Sequence, residues 1–154
     1  MNDEGVILVG GFSEVIELCE ACNQEIRGII DINGDQDFSG YRYLGADDNI
    51  QGIFAEHGQV PVVITPDAPA LRMSLVEKYK NAGFKFATLI HPAAYISRSS
   101  VIGRGSIIKA GSYISSKADV GDFVLVNACA KIMHDCRVGD YSNIAPAAVL
   151  LGYV

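Results

Sequence analysis

Positive charge is scarce in this chain and nowhere concentrated. Twelve Lys and Arg stand against eighteen Asp and Glu, a net charge of −6, and no basic run occurs. Nucleic acids and anionic membranes draw their affinity from clustered Lys and Arg, so neither is an expected partner. Hydrophobic residues make up 49% of the sequence, yet no apolar stretch approaches the roughly 20 residues that a membrane helix needs. The N-terminus, Met1-Asn2-Asp3-Glu4, is acidic where a secretory signal is basic, which makes a cytoplasmic protein the expectation. Cysteine is also short. Four residues are too few and too scattered for a disulfide framework. Cys19 and Cys22 form a C-x-x-C at helical spacing, with no second pair and no nearby His to complete a zinc site, and they read as structural. No metal site is expected.

At 154 residues the chain suits one compact domain or two small ones, and its two parts follow different periods. Residues 1–88 read as an α/β unit. Val6 to Val9 is a short apolar run ending in Gly10-Gly11, which suits a buried parallel strand. Val15, Ile16, Leu18, Cys19 and Cys22 then recur at helical spacing. Ile26 to Asp31 is a second strand with an acidic end, and Asn33-Gly34 and Ser39-Gly40 mark a loop. Val60 to Thr65 is a third strand, with Pro61 inside it, and Ala70 to Ala82 is a helix carrying Leu71, Leu75, Val76 and Tyr79 on one face. That is the order of a small Rossmann-like half-domain.

Residues 89–154 obey another rule. Aliphatic side chains stand at Ile90, Ile96, Ile102, Ile108, Ile114, Val120, Val126, Ile132, Val138, Ile144 and Leu150, eleven positions spaced by six. Four residues after each comes a small residue or Val, from Ala94 and Ser100 through Cys136 to Val154. Gly103, Gly121 and Gly139 recur every eighteen. The pattern is that of a left-handed parallel β-helix, a triangular coil whose three six-residue faces close one turn. Each aliphatic residue should point into the prism and each small residue should turn a corner. Successive coils pair as parallel strands roughly 4.8 Å apart, and because one coil cannot bury its own apolar side, coils must stack. An ordinary β-sandwich would instead show period two with turns about every 8 to 12 residues.

Function on such a scaffold comes from departures from the repeat. The clearest is Asn127 to Asp135, Asn-Ala-Cys-Ala-Lys-Ile-Met-His-Asp. His134 follows the inward Ile132 by two and falls on the flat of a coil, where its side chain should face outward, as a solvated residue or a catalyst. Cys136 falls on a small, buried repeat position and reads as packing. The string from Leu89-Ile90-His91-Pro92 through Asn127, His134-Asp135, Gly139-Asp140 and Ala145-Pro146 to Gly152-Tyr153-Val154 resembles the sialic acid O-acetyltransferase and bacillosamine N-acetyltransferase family. Gly10-Gly11-Phe12-Ser13-Glu14-Val15 is similar to that family's Gly-Gly-His-Ala-Lys-Val turn, and Gly28-Ile29-Ile30-Asp31 to its second strand. Leu8 stands where the family's leading glycine would be, and Phe12 where it commonly has His. Family members usually continue for several more coils that supply much of the acetyl-CoA groove. A fragment, or an incomplete groove, is therefore expected of a chain ending at Val154.

The resemblance implies an acetyl-CoA-dependent acetyltransferase acting on an amine or hydroxyl of a nucleotide-linked or related sugar, assembled as a homotrimer. It makes His134 the general base. Asp135 would support that base or be a solvated charge, since neighbours on a strand point to opposite faces. Residue 152 lies one eighteen-residue turn above 134, and the resemblance gives the backbone N–H of Gly152 the developing oxyanion. Asn127 would contact the acceptor, or serve only as an Asn ladder or turn cap. Gly10, Gly11 and Phe12 would hold a UDP-type sugar with backbone N–H groups on its phosphates, and Asp31 would lie near the uridine or ribose. An NAD-binding protein is disfavoured, because the full G-x-G-x-x-G is absent. His91 and Pro92 suit a structural junction, and His57 lies in a loop-like stretch. A gamma-type carbonic anhydrase needs three His on zinc, whereas only His91 and His134, 43 residues apart, lie on the prism. The remaining alternative is a nucleotide-sugar-binding or scaffolding trimer without a full CoA groove.

Overall fold

A computed structural model of the protein describes residues 5–34 and 38–154, and the acidic Met1–Glu4 stretch lies outside them. The chain divides into two compact units, Met1–Ala87 and Thr88–Val154. Among the described residues no helix is long and apolar enough to cross a membrane.

The first unit is a parallel sheet of four strands in the order β3-β2-β1-β4: β1 Val6–Val9, β2 Ile26–Ile30, β3 Tyr43–Gly45 and β4 Val62–Ile64. Val6, Ile7, Leu8, Val62 and Val63 are buried at 0–1% exposure, which is why these strands read as unbroken apolar runs. Helices α1 (Ser13–Ala21) and α3 (Pro69–Ala82) lie where the apolar spacing puts them. Strand β3 and helix α2 (Ile50–His57) were not legible, and His57 ends a helix rather than lying in a loop. Pro61 sits just ahead of β4, where a missing N–H costs no ladder bond, and its carbonyl accepts the Ile7 N–H at 3.0 Å. The buried face of α3 is Arg72, Val76, Tyr79 and Ala82. Leu71 is half exposed and Leu75 only partly covered, which corrects the face predicted from apolar spacing.

The second unit stacks three parallel sheets from two-residue strands. Leu89–Ile90, Ile107–Ile108, Leu125–Val126 and Asn143–Ile144 (β5, β8, β11, β14) form one. Tyr95–Ile96, Tyr113–Ile114, Lys131–Ile132 and Val149–Leu150 (β6, β9, β12, β15) form the second, and Val101–Ile102, Asp119–Val120 and Arg137–Val138 (β7, β10, β13) the third. Each strand pairs in register with the one eighteen residues on, as Leu89 with Ile107 and Ile107 with Leu125. These sheets fit the β-helix that the period of six requires.

Two details of the coil differ from expectation. The small residues do not turn the corners. Ser106, Ser112, Ala118, Val124, Ala130 and Cys136 are at most 1% exposed, and the last four pack with Ile108, Ile114 and Ile132 inside the prism. They are small because two side chains per hexad share a narrow interior. The corners fall instead two and three residues after each aliphatic. The second corner residue has left-handed φ in every hexad from Gly105 to Tyr153, including Lys117 (57°), Phe123 (56°) and Asp135 (57°). Inside, a polar pattern repeats at a fifteen-residue offset: Ser106 donates to the Gly121 carbonyl at 3.0 Å, Ser112 to Asn127 O at 3.0 Å and the Cys136 thiol to Leu151 O at 2.9 Å.

Candidate active site

His134 and Asp135 are the two residues of one such corner, between β12 and β13. His134 therefore stands at an edge of the prism rather than on its flat. The left-handed φ of Asp135 swings its carboxylate back toward its neighbour, and His134 Nδ1 lies 2.9 Å from Asp135 Oδ2. The strand rule that sends adjacent side chains apart does not hold at a turn. A carboxylate only accepts, so Nδ1 carries a proton at this contact, and in the neutral ring the Nε2 lone pair is left to accept one. The imidazole is 47% exposed, its partner 31%.

One coil above stands Gly152. A methyl group built on it would lie 2.7 Å from His134 Cε1 and 2.8 Å from Nε2, so the ring rests where a side chain would otherwise be. The Tyr153 N–H donates to His134 O at 3.2 Å, and the Tyr153 ring meets the imidazole edge to face at 5.2 Å. The corner thus offers a base with a fixed tautomer beside bare backbone, an arrangement suited to deprotonating a nucleophile next to an acyl carbonyl.

Asn127 is nearly buried, and its amide nitrogen donates to Asn143 Oδ1 at 2.8 Å and to Ile144 O at 2.9 Å. Both amide hydrogens are spent on the next coil, the ladder role anticipated for it; only its oxygen is left to offer an acceptor. His91 Nδ1 accepts the Ala93 N–H at 2.9 Å, a local turn at the start of the first coil. Burial, with lesser contributions from Cys22 and Glu20, pushes the Cys19 thiol up to about 12, so no thiolate forms there near neutrality.

The first unit has a cleft of about 180 Å³ at the carboxyl ends of β1 and β2. Gly10, Phe12, Asp31, Asn33, Asp47, Pro66 and Leu71 are among its lining. The chain order reverses between β1 and β4, and open parallel sheets bind ligands at such a switch point. The two glycines do not, however, present free N–H groups to a phosphate. Gly10 donates to Ile30 O at 2.8 Å and Gly11 to Asp31 Oδ2 at 2.8 Å. They are glycines for packing: Gly10 has φ 99°, and a Cβ on Gly11 would run into the Phe38 ring. Asp31 also holds the Asn33 N–H at 2.8 Å, so its carboxylate ties the turn after β1 to the turn after β2. Phe12 is half exposed at the N-cap of α1.

Two cleft-shaping residues escaped sequence reading. Thr65 is buried and donates to Val9 O, with Gly10 O also within 2.9 Å, locking the end of β4 to the end of β1. Arg72, 2% exposed, donates to the carbonyls of Pro66 and Asp67 at 2.9 and 2.8 Å. Desolvation lowers its pKa, an effect the Asp67 charge opposes. An Arg at helical spacing gives no sign that it turns inward.

No family model matches the chain. It is 33% identical over 84 residues to a GDP-perosamine N-acetyltransferase of Escherichia coli O157:H7, over 54% of this chain and 38% of that relative. The match thus spans well under half of that relative's length. Among solved structures, a variant of perosamine N-acetyltransferase from Caulobacter crescentus in complex with CoA and GDP-perosamine superposes with a TM-score of 0.89 at 28% identity, over 97% of this chain and 72% of that one. The acetyltransferase domain of PglB from Neisseria gonorrhoeae in complex with acetyl coenzyme A gives a TM-score of 0.85 at 25% identity, over 98% and 75%. These homologues are hexapeptide-repeat sugar acetyltransferases, the kind of protein that the sequence resembles.

Proposed function

We propose that this chain, whose homologues are hexapeptide-repeat sugar acetyltransferases, itself carries acetyl from acetyl-CoA to an amine of a nucleotide-linked sugar. The observation that carries the reading is the His134–Asp135 pair set against bare Gly152. In this reading residues 1–88 are a Rossmann-like nucleotide-sugar-binding unit, and residues 89–154 a left-handed β-helix that performs the transfer.

Acetyl-CoA supplies an acyl group activated as a thioester. His134 Nε2 accepts a proton from the sugar amine as its nitrogen bonds to the thioester carbon. The Gly152 N–H stabilises the carbonyl oxygen as it becomes negative. His134 then returns the proton to the departing sulfur as the C–S bond breaks, leaving an amide and a free thiol. Asp135 holds Nδ1–H throughout and stabilises the transient imidazolium. A hydroxyl acceptor would follow the same course to an ester.

Nucleotide sugar binds in the cleft of the first unit, its base and ribose against Asp31, Phe12 and Leu71. Because the Gly10 and Gly11 N–H groups are already bonded, the diphosphate meets the first turn of α1. A GDP- or UDP-sugar should slow amide hydrogen exchange at residues 12 to 14; slowing confined to the prism would place the site wrongly. The alternative, a binding or scaffolding trimer without turnover, predicts that same slowing but no consumption of acetyl-CoA.

The chain assembles as a homotrimer in this reading. Tyr95, Tyr113, Lys131 and Val149 stand in register as an exposed row on the outer face of β6–β9–β12–β15, with Tyr95 and Tyr113 stacked at 4.8 Å. Closed cyclic symmetry would cover such strips. Light scattering should give three times the chain mass, and a stable monomer at tens of micromolar concentration would rule the assembly out.

A further inference from the structure

The Leu151–Gly152 peptide is gripped from inside the prism. Cys136 is 1% exposed, and its thiol lies 2.9 Å from the Leu151 carbonyl oxygen, which accepts its hydrogen. A trans peptide is planar, with its C=O and N–H on opposite sides. A Leu151 oxygen drawn inward therefore turns the Gly152 N–H outward, at the residue whose Cβ position the imidazole occupies. The same inward tether recurs at the Ser106–Gly121 and Ser112–Asn127 pairs, so it is a device of the coil and not an accident of one contact. At Cys136 the tethered peptide is the one that borders the His134 corner.

We propose that Cys136 is a positioning residue, fixing the Leu151–Gly152 peptide so that its N–H faces the oxygen of the reacting thioester. This rests on the reading of Gly152 as the oxyanion donor. A donor of this kind contributes only when aimed beforehand. A peptide free to rock about its flanking bonds loses part of that contribution, though it touches the same atoms.

The repeat supplies the controls. Val124 and Ala130 fill the equivalent interior slot in the two preceding hexads, so Cys136→Val and Cys136→Ala should fold. Both remove the donor. Cys136→Ser keeps it, as Ser106 and Ser112 do. In steady-state acetyl transfer the Val and Ala variants should lose about tenfold in kcat with an unchanged KM for nucleotide sugar, and the Ser variant should recover most of it. In parallel, the Gly152 amide should exchange faster and shift its NMR resonance in Cys136→Val, and return toward the parent position in Cys136→Ser. A Gly152 resonance untouched by Cys136→Val, or a Val variant with parental kcat, would overturn the proposal. A parent protein that turns over no acetyl-CoA would instead overturn the acetyltransferase reading, while the amide measurement still decides whether Cys136 sets the peptide.

Discussion

Replacing His134 with alanine should lower kcat for acetyl transfer by about 10²- to 10⁴-fold, with little change in nucleotide-sugar affinity. The size follows from what is lost. Nε2 is the base with a fixed tautomer at the corner, and removing the ring strands the Asp135 carboxylate without the Nδ1–H that lies 2.9 Å away. The affinity should hold because the cleft assigned to the nucleotide lies in the other unit, among Gly10, Phe12, Asp31 and Pro66. Stopped-turnover kinetics and calorimetry with the nucleotide diphosphate measure the two separately. Near-parental transfer would remove His134 from the mechanism and put the scaffolding reading ahead. A parallel loss of nucleotide binding would mean that the ring does more than move a proton.

Gly152→Val should be nearly as damaging, by at least about 100-fold in kcat, for a reason of space. Gly152 is not among the residues of left-handed φ, so its backbone accepts any side chain without strain. Arg98, Ser116 and His134 occupy the same corner in the coils beneath. The obstacle is the imidazole itself, 2.7 Å from where the first added carbon would lie. The ring must rotate off Asp135 or away from the bare backbone, and either movement unmakes the site. Because the change is at a surface corner, the melting temperature should stay within a few degrees of the parent. A valine variant that unfolds would show that the corner supports the coil, and one with full activity would show that the ring has room to spare.

The period of six was legible because it repeats through eleven hexads, and no local exception can hide a signal so redundant. Its phase was only half legible. A small residue is what a corner or a crowded interior would each require, and composition cannot separate them; the burial of Ser106, Ala130 and Cys136 decides for the interior. Nor does a left-handed corner announce itself when Lys117, Phe123 and Tyr141 occupy it rather than glycine. Stacked coils hold these residues there, through bonds such as the Asp135 N–H to Ser116 O at 3.1 Å, from a partner nineteen positions away. The contact between His134 and Asp135 was therefore only one of two readings open for Asp135, beside a solvated charge. In the first unit the Gly10-Gly11 turn was found, but its purpose was misjudged. A phosphate cradle was expected, whereas the left-handed φ of Gly10 and the Phe38 ring against Gly11 account for the glycines. Strand β3, three residues long, and helix α2, with Gly52 inside it, carry too little periodicity to be seen.

The backward-turning corner sets two selective pressures against each other at position 135. An L-residue in left-handed conformation costs on the order of 1 kcal/mol, which glycine would largely relieve. Glycine stands in the same frame of the repeat at Gly105 and Gly111. Seven of the nine left-handed corners nonetheless carry side chains, and at 135 that side chain grips the imidazole. A lineage that gave up catalysis and kept the prism would be free to exchange this acid for any of the side chains that fill the other corners, so the identity of residue 135 would record whether chemistry is still under selection.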